Sequence, residues 1–216
     1  MTCWWNRAGQ ARTSWEDRRA QSSTELRRSL AADAASVRDF PVACRSASTP
    51  VVYEVRRPDQ AVRCVSRGCA AVSVVTEKRW YHGSREDLAA VRAAVEVPVL
   101  RRDLVFCEYQ LLEARAYGAD AISLVHAALT SERLAELYGL ALRLSMTPLV
   151  EVHDERGARL AAELGARAVY LDFTDPAAQA RAAALLPPTT VTLAEAGAEV
   201  VLLGGSMIGD IVRREP

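Results

Sequence analysis

Residues 97–125 read Val97-Pro98-Val99-Leu100-Arg101-Arg102-Asp103, then a stretch of helical period from Cys107 to Tyr117, then Gly118-Ala119-Asp120-Ala121-Ile122-Ser123-Leu124-Val125. A short β-rich run, a helix, a glycine stop and a second β-rich run make one strand–helix–strand unit. The unit recurs in both directions. Further β-rich runs stand at Val51–Val55, Ala71–Thr76, Pro148–Val152, Ala168–Leu171 and Val200–Leu203. Helical stretches fill the intervals at Gln60–Arg67, Arg85–Val95, Ser131–Leu144, Glu155–Leu164 and Pro176–Leu185. Gly68-Cys69 and Gly165-Ala166 repeat the Gly118-Ala119 stop. Strict alternation predicts a parallel α/β fold.

No Gly-x-Gly-x-x-Gly follows the first run, which argues against a dinucleotide-binding open sheet. Polar residues instead end nearly every run: Glu54 and Arg56, Glu77, Arg102 and Asp103, His126, Glu151 and His153, Asp172, then Gly204-Gly205-Ser206. In a TIM (β/α)8 barrel those ends ring one mouth. One interval resists the pattern. A parallel crossover takes roughly a dozen residues or more, so a seventh strand at Thr190–Leu193 has too little chain to reach an eighth at Val200. The sequence therefore predicts a barrel incomplete around its seventh unit, occupying residues 50–216. An unpaired strand edge there would need a cover: the tryptophan-bearing N-terminal segment, self-association or another partner. Residues 1–49 form a polar extension with Trp4, Trp5 and Trp15, and a helix is expected from about Ser22 to Arg38.

The chain has 216 residues and is half hydrophobic, enough for one sizeable core. Lys+Arg and Asp+Glu are 27 each, which argues against a nucleic-acid or membrane-surface partner. All of the basic residues but Lys78 are arginine. The 5 cysteines lack metal or redox spacing, so no metal or cofactor is called for and reduced thiols are expected. With no signal-peptide core or membrane span, a cytoplasmic location is expected.

Several motifs together resemble indole-3-glycerol phosphate synthase, a barrel enzyme of tryptophan biosynthesis. They are Val74-Val75-Thr76-Glu77 with Tyr81-His82-Gly83-Ser84, Pro98 to Asp103 with Tyr109-Gln110 and Glu113-Ala114-Arg115, Leu149-Val150-Glu151-Val152-His153, and Gly204-Gly205-Ser206-Met207. The resemblance implies a lyase that closes and decarboxylates a phosphorylated anilino-deoxyribulose. Such chemistry needs an acid at the ketone, carboxylates for dehydration, and cations for the substrate carboxylate and phosphate.

Position by position, the resemblance puts the acid on Arg102, where the family has lysine. It puts dehydration chemistry on Glu151, a first-strand carboxylate on Glu54, and the grip on the substrate carboxylate on Arg56. Asp172 stands where the family has asparagine, and Gly204, Gly205 and Ser206 face the phosphate. Arginine is a poor proton donor near neutral pH. His126, ending the fourth run, reads first as a satisfied structural histidine; the functional reading points it into the mouth, as a substrate-binding residue that could supply the acid Arg102 cannot. The family's loop after the first strand is cut to Arg57-Pro58-Asp59, and its seventh-strand Ser-Glu-Ser-Gly has no counterpart. Besides the family lyase, two other readings stay open. One is a diverged enzyme of specialised metabolism on a related aromatic or sugar-phosphate substrate, and the other is a silent barrel that binds a ligand or partner.

Overall fold

The computed structural model describes residues 36–78 and 81–203. Eight parallel strands close into a barrel in chain order. They are β1 Thr49–Val55, β2 Cys69–Val75, β3 Val99–Arg102, β4 Ala121–Val125, β5 Thr147–Val152, β6 Ala168–Leu171, β7 Val191–Ala194 and β8 Val200–Leu203. The helices are α1 Phe40–Ser46 before β1, then α2 Pro58–Val65, α3 Arg85–Ala94, α4 Glu108–Ala116, α5 Ser131–Arg143, α6 Glu155–Glu163 and α7 Pro176–Ala183. The alternation read from the sequence thus gives the fold class, a TIM-type barrel.

Local chemistry sets the element ends. Ser84, Thr130, Asp154 and Asp175 accept backbone N–H bonds as N-caps of α3, α5, α6 and α7. Pro58 and Pro176 open α2 and α7, where a missing N–H is harmless. Gly118 stops α4 with φ +88, and a Cβ there would stand 2.6 Å from Arg92 Cγ, so only glycine makes this turn.

Side chains alternate between the two faces of the barrel wall. Val72, Val74, Ile122, Leu124, Val150, Val152 and Val169 face outward and pack on Leu88, Val91, Leu111, Leu134 and Leu137 of the helices. Val52, Ala71, Leu100, Ala121, Leu149, Ala168, Val191 and Val200 face inward, joined by Phe40 and Cys44 of α1. This helix plugs the bottom of the barrel. The residues around it tie it down: Arg38 donates to the Val97 carbonyl at 2.9 Å, Arg167 pairs with Asp39 at 2.8 Å, and Arg45 donates to the Thr189 carbonyl at 2.7 Å.

The predicted gap in the sheet is not there. β7 pairs in parallel with β6 and with β8, so neither edge is unpaired and the reason for a covering segment or partner at that place falls away. The crossover estimate failed because β8 is set high against β7. Only Leu193↔Val200 and Ala194↔Val201 are partners, so residues 195–199 need return the chain by little more than one strand spacing. What the seventh unit lacks is its helix. Gln179 of α7 reaches the short loop instead, donating to the Ala196 carbonyl at 2.8 Å. The expected helix from Ser22 lies outside the described residues except for its last positions. Trp4, Trp5, Trp15, Trp80 and the Gly204-Gly205-Ser206 turn lie outside them as well. Among the described residues no helix is long and apolar enough to cross a membrane.

Candidate active site

Arg102 is the last residue of β3 and faces the barrel axis, two places above Leu100. It is fully buried, as is Glu151 on β5. Its Nε lies 3.2 Å from Glu151 Oε1 and its Nη2 3.2 Å from Oε2, so both carboxylate oxygens accept from one planar guanidinium. The ring of Tyr170, inward on β6, sits 5.3 Å from the guanidinium carbon. Arg102 Nη1 also approaches Glu54 Oε2 of β1 at 3.8 Å, an attraction too long to be a hydrogen bond.

This cluster works against burial in two different ways. Burial alone would favour loss of the Arg102 proton, but the Glu151 charge and hydrogen bonds, with Tyr170 and Glu54, hold it more tightly than usual. Arg102 is therefore a fixed cation. Burial pushes the Glu54 carboxyl up to about 7 against the pull of Arg102 and Arg56, with Glu151 adding to the push. Glu54 Oε2 is buried with no hydrogen-bond partner among the described residues. A carboxyl in this state carries a proton near neutral pH and can give it away.

Arg56 turns to the rim, where Nη1 donates to the Tyr81 carbonyl at 2.8 Å. The link from β1 to α2 is the bare turn Arg56-Arg57. On the next loop, a Cβ on Gly83 would fall 2.1 Å from the Val75 carbonyl oxygen, which explains the Gly-Ser turn. Glu77 belongs to that loop and accepts from Tyr81 N at 3.3 Å.

Arg101, next to Arg102, must face the opposite side of β3. There it is 1% exposed and donates to Thr76, Asp103 and Glu113. Gln110 holds the loop after β3, accepting from Phe106 N at 2.8 Å and donating to the Leu104 carbonyl at 2.7 Å. Together these bonds fix the backbone that presents Arg102.

His126 does not face the mouth. It follows the inward Val125 and therefore falls on the outer side, where its ring lies against Gly157 of α6. Burial lowers its pKa against the pull of Asp154. His153 and Asp172 do meet at the rim, with Nδ1 3.2 Å from Oδ2. Both line a cavity of about 570 Å³ reaching between α6 and α7. A second cavity, about 330 Å³, lies between Asp172 and the β7–β8 loop and is lined by Glu195. Glu195 directly follows β7 in Ala194-Glu195-Ala196-Gly197, so a seventh-strand carboxylate exists where the motif reading found none. Tyr170 and the His153–Asp172 contact were also missed. For Tyr170 the signal was alternation within the sixth run, which puts it on the same face as Ala168.

The family model of indole-3-glycerol phosphate synthase matches residues 7–172, a span that holds Glu54, Arg56, Arg102 and Glu151 and stops at Asp172. The indole-3-glycerol phosphate synthase of Streptomyces griseus is 34% identical, over 91% of this chain and 86% of that protein. That of a Nocardioides species is 38% identical over 88% and 86%. Indole-3-glycerol phosphate synthase 2 of Streptomyces coelicolor is 42% identical over 73% and 67%.

Proposed function

Since this chain belongs to the indole-3-glycerol phosphate synthase family, we propose that it closes and decarboxylates a phosphorylated anilino-deoxyribulose, with Arg102 as an electrostatic clamp and Glu54 as proton donor. The observation that carries this reading is the buried approach of Arg102 to Glu54. In the first step the aromatic carbon bearing the carboxylate bonds to the ketone carbon. The ketone oxygen gains charge, Arg102 donates hydrogen bonds to it, and Glu54 supplies the proton. The carbon–carboxylate bond then breaks, carbon dioxide leaves, and its electron pair restores the aromatic ring. Loss of the hydroxyl as water and of one methylene proton completes the indole.

Clamping of this type contributes about 10²–10³-fold in rate per donor group. Glu151 takes a holding role in this scheme, because both its oxygens already accept from Arg102. Arg56 is assigned the substrate carboxylate, and the Gly204-Gly205-Ser206 turn the phosphate. The partner is thus a phosphorylated small molecule, and the place of action the cytoplasm. A silent scaffold fits less well. It would have no use for a buried arginine and two carboxylates, since a buried ion pair is often replaced by apolar residues of similar volume at little or no cost in stability.

The test is turnover of carboxyphenylamino-deoxyribulose phosphate, read by indole fluorescence, in the wild type and in Glu54→Gln. Turnover that Glu54→Gln lowers by about 10²-fold is expected. No turnover by the wild type would overturn the family reaction, and turnover untouched in Glu54→Gln would overturn the role of Glu54.

A further inference from the structure

The last step, loss of water, needs an acid at the departing oxygen and a base at the ring methylene, on different atoms. Glu54, reprotonated from solvent after ring closure has taken its first proton, serves the first task. Glu151 is poorly placed for the second, since Arg102 occupies both its oxygens. At the same rim, His153 directly follows β5 and Asp172 directly follows β6. The Asp172 backbone N–H donates to the Val152 carbonyl at 2.9 Å, which locks the two strand ends side by side. Asp172 is 4% exposed, and its Oδ2 lies 3.2 Å from His153 Nδ1. A buried carboxylate on one imidazole nitrogen fixes the tautomer, directs the other nitrogen to proton transfer, and stabilises the imidazolium that results. By alternation His153 shares the inner side of β5 with Glu151 and Asp172 that of β6 with Tyr170, and the pair lines the cavity of about 570 Å³ at the rim.

We infer that His153, oriented by Asp172, is the base that takes the ring-methylene proton during dehydration. This rests on the family reaction proposed above. The methylene C–H bond breaks and its proton passes to His153 Nε2. The electron pair left behind forms the indole double bond. The carbon–oxygen bond breaks toward oxygen, and the hydroxyl leaves as water with a proton from Glu54. His153 then returns its proton to solvent and Glu54 is reprotonated from it. Asp172 is a positioning residue that acts through the imidazole.

A base acting only at dehydration leaves ring closure and decarboxylation intact, so the two products can be timed separately. In a single turnover of carboxyphenylamino-deoxyribulose phosphate, His153→Gln should release carbon dioxide at the wild-type rate. Indole should form about 10²-fold more slowly, and a compound one water heavier than the product should accumulate. In Asp172→Asn the acid limb of the indole-formation pH profile should move to lower pH, because the carboxylate favouring imidazolium is gone. Among the described residues the other charges near the pair stay the same in both proteins: Asp154, Glu155 and Arg156 at the start of α6, Asp175 before α7 and Arg181 within it, Glu195 after β7, and His126 after β4. Carbon dioxide and indole slowing by one common factor in His153→Gln, or indole formation unchanged, overturns the assignment of the base. An unmoved acid limb overturns the part given to Asp172. No carbon dioxide from the wild type overturns the family reaction and this role with it, whereas normal carbon dioxide with no dehydration defect overturns the role alone.

Discussion

Arg102 Nη1 stops 3.8 Å short of Glu54 Oε2, while the other two guanidinium nitrogens bond Glu151 at 3.2 Å each. One cation therefore serves two carboxyls unequally. Glu151 receives the hydrogen bonds, and Glu54 receives only a field too weak to offset its burial. The difference leaves Glu151 an ion-paired carboxylate and Glu54 a carboxyl biased toward its protonated form.

The first prediction concerns pH. The Glu54 carboxyl is raised from 4.5 to about 7, so the folded protein binds this proton more tightly than the unfolded chain. The resulting stability is complete below the unfolded value and is lost as pH rises through the folded one. Relative to Glu54→Gln, the wild type should lose about 3 kcal/mol between those two values, measured by urea unfolding across the range. Turnover should fall over the same upper limb as Glu54 ionises.

Removing the cation leaves Glu151 buried and uncompensated. Arg102→Met should cost about 3–5 kcal/mol in urea unfolding, and adding Glu151→Met should recover much of that loss. A double variant no more stable than the single one would show that Glu151 finds another partner.

Phe40 is fully buried among the inward residues at the bottom of the barrel. Phe40→Ala should cost about 3–5 kcal/mol, read as a fall in the midpoint of denaturant unfolding. Its distance from the mouth predicts an unchanged KM at a temperature where the variant is folded.

Gly157 sits inside α6, where alanine would ordinarily add about 1 kcal/mol of helix stability. Here the new Cβ would stand 2.8 Å from His126 Nδ1 and 3.2 Å from Val152 Cβ. Gly157→Ala should destabilise by about 1–3 kcal/mol, and in a His126→Ala background the same change should stabilise. A gain in both backgrounds would show that the His126 ring yields freely.

The barrel was legible because its signals are local. Each strand run and each glycine stop is written within a few residues, and β4, β6 and β8 fall on the limits read from the sequence. The mouth was legible where strand parity and motif agree, at Glu54, Arg102 and Glu151. His126 went astray because its place at the strand end was weighed without parity: one residue past the inward Val125 it falls on the outer side, against Gly157 of a later helix. The closure at β7 was misjudged because loop length was weighed without register. How far two strands overlap is a long-range property that no local pattern carries.

That short overlap has a consequence for how the molecule breathes. A ring of strands opens at one seam first, and opening most seams here means displacing the helix that crosses over the outside. Between β7 and β8 two rungs and a loop are all that must part. The amides of Val191–Ala194 and Val200–Leu203 should therefore exchange with solvent ahead of those in β5. The barrel then has a hinge line on its own circumference, along the strand that runs on into Gly204-Gly205-Ser206 of the sequence.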